Sequence, residues 1–235
     1  MMRSIVCGVF GMVLGLTGCK ESKPYGYEPT LLLPGTVRQT WAVAPVLDLS
    51  GQKTVDPILQ ADLLFGQLQQ VAGLTVIPVN RVAEVYAALR IERVQSEQQA
   101  ALVCDLLGCD ALVVATVTAY DPFDPPKMGG SLHLFRRGDW RRPANVDPRE
   151  LARQAAPTPQ SSTARAGQMT QVVGMFDSAN GSVRSAALQY AEGRNDPNSP
   201  YQARIILIEM DRYASFVYHF LITELLAKPG IAKPV

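Results

Sequence analysis

Residues 111–119 read ALVVATVTA, and this segment constrains the fold more than any other. In an extended chain Val113, Ala115 and Val117 point one way, and Leu112, Val114 and Thr116 point the other. Both sets are apolar or nearly so. A strand with that pattern has to be covered on both faces, which places it at the centre of a sheet with a layer on each side. The expected class is therefore α/β (α+β): a single three-layer-like domain in which helices flank a central mixed sheet.

The rest of the chain supplies those layers. Residues 40–47, TWAVAPVL, form a nearly continuous apolar run that predicts a buried strand. Pro45 lacks an N–H, so it belongs at a bulge, an edge or the strand's exit, and Asp48 to Gly51 turn the chain. Asp56-Pro57 predicts a helix start, with an acceptor at the cap and proline at the first position. Ala61, Leu64, Phe65, Leu68, Val71 and Ala72 continue it at helical spacing, and Gly73 is placed to stop it. Residues 74–79 predict a short strand interrupted by Pro78. Asn80 then caps a second helix with Val82, Val85 and Leu89 on its inner face.

Ser96 and Gln99 make a capping box for a third helix whose apolar face is Ala100, Val103, Cys104 and Leu107, ended by Gly108. Residues 131–135 and 170–176 predict two strands that pair as a hairpin. Ser182 caps a short helix carrying Val183, Ala186, Ala187 and Tyr190, and residues 195–200 form a loop. Residues 203–226 predict a last, mostly buried helix with one polar stripe at Asp211, Ser215, His219 and Thr223. Residues 205–208 alone also read as a strand, which leaves the start of that helix open. Glu209, Asp211, Arg212 and Glu224 are too costly in lipid for this helix to span a membrane.

Between the hairpin strands the pattern collapses. Residues 136–168 are Arg, Pro, Ala, Ser and Gln with almost no branched apolar side chains. Such a composition does not bury enough surface to offset its ordering entropy, so a flexible insertion is expected. Within it Arg136, Arg137, Arg141 and Arg142 surround Trp140. This cluster is a candidate contact for anionic lipid heads or an acidic partner, against the plainer alternative of a solvated basic loop, which its composition favours.

The amino terminus carries a different signal. Arg3 is followed by an apolar run over residues 5–16 and then by Leu16-Thr17-Gly18-Cys19. A cationic start, a short apolar core and small residues before a cleavage point describe an export signal. The run is too short to span a bilayer, which takes about 20 apolar residues. With cysteine directly after the small residues, the segment resembles a bacterial lipoprotein signal with its lipobox. The resemblance implies lipid attachment at Cys19, which then becomes the first residue of the mature chain. Acylation by more than one chain anchors stably. The expected organisation is a signal over residues 1–18, a lipidated tether over 19–39, one domain over 40–228 with the insertion, and a tail over 229–235. Lys20 after the lipidated cysteine, by resemblance to proteobacterial sorting, favours the outer membrane over the inner, with the domain facing the periplasm.

Charge narrows the partners. The chain has 22 Lys+Arg and 21 Asp+Glu, and removing the signal deletes Arg3 alone, leaving 21 against 21. A neutral chain argues against nucleic acid as the main partner. Of four cysteines, Cys7 leaves with the signal and Cys19 takes lipid. Cys104 and Cys109 remain, at a spacing that does not match a zinc site. A disulfide across the helix-to-strand turn is compatible with the sequence, but two buried thiols are the favoured state. His133 and His219 stand far apart without flanking ligand patterns, so neither a metal nor another cofactor is expected. No phosphate loop, dinucleotide fingerprint, nucleophile elbow or zinc-protease motif occurs. Asp121 and Asp124 bracket Pro122-Phe123, where a polar turn is the expected reading in place of a catalytic acid pair.

Three short motifs carry a further resemblance. Pro45-Val46-Leu47-Asp48-Leu49-Ser50-Gly51 resembles the strand-exit motif of a group of envelope proteins that includes the amino-terminal domain of the Tol translocation protein and the curli-secretion lipoprotein. Val46 stands where the group has an aromatic residue and Asp48 where it has Asn. Asn80-Arg81 fits the group's second strand-to-helix junction. Leu107-Gly108-Cys109-Asp110-Ala111-Leu112-Val113-Val114 is similar to its Leu-Gly-Ala-Asp motif before an apolar strand, with Cys109 in the Ala place. The resemblance spans residues 40–135, with a weaker extension from Thr170 onward, and implies a compact α/β domain for assembly and docking in the cell envelope, without a cofactor.

The expected function is a non-enzymatic, lipid-anchored docking, assembly or regulatory module. Its partners are the membrane, through Cys19, and other envelope proteins; a homo-oligomer is compatible with it. A subunit of an oligomeric outer-membrane secretion complex is the second reading, although the insertion lacks the alternation of lipid-facing strands. A hydrolase is a remote third, since neither nucleophile nor base is evident.

Overall fold

The computed structural model describes residues 31–35, 37–137, 169–196, 198–229 and 231. Cys19, the signal segment, Trp140, Arg141, Arg142 and nearly all of the expected insertion lie outside the described residues. In chain order the elements are β1 (Leu31–Leu32), β2 (Gln39–Val43), β3 (Leu47–Asp48), α1 (Pro57–Leu68), β4 (Val71–Ala72), β5 (Leu74–Ile77), α2 (Val79–Leu89) and α3 (Glu97–Leu107). They continue with β6 (Ala111–Asp121), β7 (Lys127–Arg136), β8 (Met169–Asp177), α4 (Gly181–Ala191), a 3-10 helix (Gln202–Leu207) and α5 (Met210–Leu226).

Six strands form one mixed sheet in the order β5-β2-β6-β7-β8, with β3 also paired to β6. β2 runs parallel to both β5 and β6, whereas β6, β7 and β8 run antiparallel. β6 is central, as its two apolar faces require. It pairs with β2 through Ala111 to Val113, with β3 through Thr116 and Val117, and with β7 on the other side. β2 and β3 are one strand interrupted at Pro45, whose missing N–H forbids a continuous ladder. The backbone N–H of Val46 turns out of the sheet there and donates to the Pro57 carbonyl at 3.3 Å, tying the break to the start of α1.

The layers are unequal. α1, α4, α5 and the 3-10 helix cover one face with a large core that includes Trp41, Val43, Val113, Leu132, Leu134, Phe216 and Leu225. Gln60 and Tyr218 put a hydrogen bond of 2.9 Å inside it, from the Tyr218 hydroxyl to the Gln60 side-chain carbonyl. α2 and α3 cover the other face with a smaller core built on Ala42, Ala44, Val82, Tyr86, Val103, Cys104, Cys109 and Leu112. The hairpin expected across the insertion is present as β7 and β8, in register from Lys127–Asp177 to Phe135–Met169.

Several local expectations need correction. The chain is ordered into the fold before residue 40: β1 pairs with β4, and Leu33 is buried. α1 ends at Leu68 and not at Gly73, because Val71 and Ala72 are taken by β1; Gly73, at φ +89°, makes the turn between β4 and β5. α2 begins at Val79 with Pro78 before it, so Asn80 lies inside the first turn and accepts from the adjacent Arg81 N–H. Asn180, and not Ser182, caps α4, accepting from the Ser182 N–H at 2.9 Å. In the capping box of α3, Ser96 accepts from the Gln99 N–H, but Gln99 reaches back to the N–H of Gln95. Residues 205–208 are neither strand nor α-helix; residues 205–207 end the 3-10 helix and Ile208 follows it.

β7 begins at Lys127, four residues before the expected strand, because Gly129 and Gly130 hid its start. Gly130 sits where a Cβ would lie 2.5 Å from the backbone oxygen of Thr116. Only glycine lets β7 approach β6 that closely. At the other end, the expected insertion does not start at Arg136: Arg136 is the last residue of β7 and is buried, and Arg137 donates its backbone N–H to the Asp110 carbonyl.

Candidate docking face

The residues that carried the envelope-domain resemblance serve turns. Asp48 accepts from the Ser50 N–H at 2.9 Å and from its hydroxyl at 2.6 Å, and Gly51 takes φ +73°. Asp110 accepts from the Thr40 N–H at 2.8 Å, while its own N–H donates to the Thr40 carbonyl at 2.7 Å. The first residues of β2 and β6 are thereby fixed together. These polar groups are used up in holding strand ends. Asp121 accepts from the Phe123 N–H at 3.2 Å, the polar turn expected there.

The basic cluster is not one surface among the described residues. Arg136 lies in β7, and desolvation lowers its pKa from the ordinary value. Arg137 forms an ion pair with Asp105 on α3 at 2.6 Å. Burial raises the Asp105 carboxyl and Arg137 counteracts it. Both arginines are thus built into the sheet end. The two histidines sit on separate elements. His133, on β7, shares a 3.1 Å hydrogen bond with the Ser131 hydroxyl. His219, on α5, packs against Tyr190 with ring centroids 5.0 Å apart. Desolvation, with Arg194 adding to it, pushes His219 down to about 4. No group of three or more His, Cys, Asp or Glu side chains suited to a metal occurs among the described residues. None of their helices is long and apolar enough to cross a membrane.

A cleft of about 210 Å³ opens between the ends of α1 and α4 and the start of α5, lined by Gln67, Tyr190, Arg194, Ile206, Arg212 and Ser215. Several of its polar groups are bonded within the protein. The Tyr190 hydroxyl donates to Gln67 at 3.0 Å, and Arg194 donates to the Tyr190 carbonyl at 2.7 Å with its guanidinium 4.1 Å above the Tyr190 ring. Arg212 pairs with Glu209, and Ser215 donates to the Asp211 carbonyl.

The sheet has two edges, β5 and β8, and among the described residues no strand pairs with the outer side of β8. Ser178 N–H donates to the Pro126 carbonyl at 3.0 Å, in register with the Lys127–Asp177 pair. By the alternation of an antiparallel ladder, the even-numbered residues of β8 bond to β7 and the odd-numbered ones direct N–H and C=O outward. Those same odd residues place Met169, Gln171, Val173 and Met175 on the face that α2 and α3 do not reach. All four are exposed, Val173 at 71% and Met175 at 56%. The even residues Val172 and Phe176 are buried under α5. Phe176 also meets Phe220 of α5 edge to face at 5.3 Å, and Phe220 is exposed. The edge is therefore a row of outward backbone groups with apolar side chains on both sides.

Edges in soluble sheets are usually blunted by charge, proline, a bulge or a very short strand. Residues 170–176 of β8, TQVVGMF, carry neither charge nor proline, and the β7–β8 register has no shift. The one charge in the strand, Asp177, stands at its end and pairs with Lys127 at 3.5 Å. The sequence reading placed this strand but assigned no site to it. The available signal was Val173 and Met175 at alternate positions next to a low-apolar segment.

No protein-family model matches the chain, and no curated protein matches it in sequence. Among solved structures it is similar to lipoprotein GNA1162 from Neisseria meningitidis, at 18% identity over 64% of this chain and 94% of that one, with a TM-score of 0.37. It is similar to the LpoB C-terminal domain from Salmonella enterica at 8% identity, over 59% of this chain and 84% of that one, with a TM-score of 0.38. The PelC dodecamer from Paraburkholderia phytofirmans is similar at 9% identity, over 83% and 94%, with a TM-score of 0.35. Likenesses of this size assign no activity and no partner to the chain.

Proposed function

We propose that this chain is a lipid-anchored, non-enzymatic docking module of the cell envelope that binds an extended segment of another envelope protein along β8. The carrying observation is the unblunted β8 edge with Val173, Met175 and Phe220 exposed beside it. Strand addition uses such an edge for main-chain hydrogen bonds and the flanking side chains for selection. A matching segment is uncharged over its middle and apolar at alternate positions, since nothing on β8 neutralises a charge between Thr170 and Phe176. The lipobox-like segment ending at Cys19 supplies the anchor, and the internally bonded polar groups of the cleft and turns favour binding over catalysis.

The test is site-specific photocrosslinking in intact cells. A photoreactive side chain at Val173 is expected to give a discrete adduct with one larger envelope protein, while the same group at Leu49, exposed at 60% on another part of the surface, does not. Val173→Lys should remove the contact captured from a probe at Met175 and leave folding within about 0.5 kcal/mol, as for an exposed site. Cys19→Ala should move the chain out of the membrane fraction. Absence of an adduct at Val173 in membrane-bound protein, or an equal adduct at Leu49, refutes the docking site. An adduct made of two copies of this chain refutes the heterologous partner.

A further inference from the structure

Cys104 and Cys109 are both buried. The structure also gives them a relation that the sequence spacing alone does not. α3 ends in a left-handed residue, Gly108 at φ +67°, and the Cys109 N–H donates to the Cys104 carbonyl at 3.0 Å. That is the six-to-one hydrogen bond of a Schellman ending, which brings together the side chains of the fourth-last residue of α3 and the second residue past it. Apolar residues ordinarily fill those two places. Here both are cysteine, and both side chains are buried in the same core.

We infer that Cys104 and Cys109 are a modification site: a thiol pair that the helix ending pre-positions for oxidation to a disulfide by an oxidant of the disulfide class. The six-to-one bond keeps the two backbones at the short separation a disulfide needs, commonly about 4.4–6.8 Å between Cα atoms. The reaction is thiol–disulfide exchange. One protein thiolate attacks the oxidant's disulfide, forming a mixed disulfide and releasing one sulfur of the oxidant, which takes up a proton. The second protein thiolate then attacks the first protein sulfur and expels the oxidant's other sulfur, which is also protonated. Each protein sulfur loses one electron and the oxidant gains two. The protein's two thiol protons end on the oxidant's two sulfurs.

The surroundings set the rate and the consequence. Both side chains are buried in the smaller core beside Tyr86, Val103 and Leu112. The Cys104 thiol is pushed up by its hydrogen bond with Cys109 and by burial. The thiolate is the attacking form, so exchange waits on opening of the end of α3 and quickens with rising pH. Once formed, the bridge fastens the end of α3 to the residue before Asp110, whose contacts fix the β2 and β6 starts.

Trypsin leaves both cysteines on one peptide, residues 94–127, since no Lys or Arg lies between Arg93 and Lys127. The purified full-length chain is equilibrated with mixtures of reduced and oxidised glutathione, quenched with acid, alkylated in denaturant and digested. The expected result is a shift of the 94–127 peptide from doubly alkylated to an unalkylated form lighter by two hydrogens. In native protein the midpoint should lie at a reduced-to-oxidised ratio at least about tenfold more reducing than for the chain equilibrated in urea, since folding holds the sulfurs together. The Cys109→Ser variant should give no unalkylated peptide, whether or not it folds as stably. A peptide that stays doubly alkylated in native protein, or a midpoint more oxidising in the folded chain than in the unfolded one, overturns the inference.

Discussion

Gly130→Ala is the sharpest test of the sheet geometry. Gly130 stands on β7 opposite Val117 of the central strand, and an added Cβ would lie 2.5 Å from the Thr116 carbonyl oxygen. An ordinary carbon–oxygen contact between strands is about 3.3–3.6 Å. The missing ångström has to come from backbone, because the obstacle is a main-chain atom of β6 held by β3 on its far side. Overpacking of this kind costs about 1–3 kcal/mol, and the upper half of that range applies where no side chain can give way. Loss of glycine's freedom in the unfolded chain returns about 0.4–1 kcal/mol, leaving a net cost of about 1–2.5 kcal/mol. At about 2–4 °C per kcal/mol for a domain of this size, the melting temperature should fall by roughly 2–10 °C.

Gly129→Ala is the internal comparison. Its Cβ meets the Sδ and Cε of Met175 at 2.9 and 2.7 Å, the far end of a flexible and exposed side chain, and Ala119 at 3.3 Å. Met175 can swing aside, so this substitution should cost less than Gly130→Ala by about 1 kcal/mol or more. Urea unfolding followed by circular dichroism measures both variants against the parent. Equal stability of the two variants, or the reverse order, would refute the close β6–β7 approach on which the core geometry rests.

Two further perturbations test the core. Tyr218→Phe leaves the Gln60 side-chain oxygen buried without its donor and should cost about 1–3 kcal/mol in urea unfolding; adding Gln60→Leu should recover part of the loss, and a strictly additive pair of effects would contradict the coupling. His219 is held down to about 4 by desolvation and Arg194, from an ordinary 6.5. Between those values the unfolded chain binds the proton and the folded one does not, so this group's contribution is complete above pH 6.5 and is lost as pH falls towards 4. The stability difference between the parent and His219→Gln should therefore shift against the parent over that window, and parallel pH profiles would count against the half-buried neutral imidazole.

The sequence by itself determined what local chemistry can determine. Two-faced apolar residues made β6 central. Asp56 with Pro57, Ser96, and Gly108 set the ends of α1 and α3, because a cap is a matter of neighbouring backbone groups. Pro45 broke the β2–β3 strand, since a missing donor acts wherever the residue is placed. Only the tertiary structure decided what depends on residues far apart in the chain. Val71 and Ala72 continue the helical spacing of α1, yet they leave it because Leu31 and Leu32 offer a ladder. Gly129 and Gly130 read as a break, yet they extend β7 because β6 comes close. Arg136 reads as the start of a solvated loop, yet it is buried as the last residue of β7, opposite Ala111. The candidate site divides the same way. Alternation marks Val173 and Met175 as one side of a strand, but that this strand is an edge of the sheet, and that α2 and α3 stop short of its face, follows from packing alone. Period and capping act over a few residues, whereas edges, covered faces and thiol pairs are made by elements meeting across the chain.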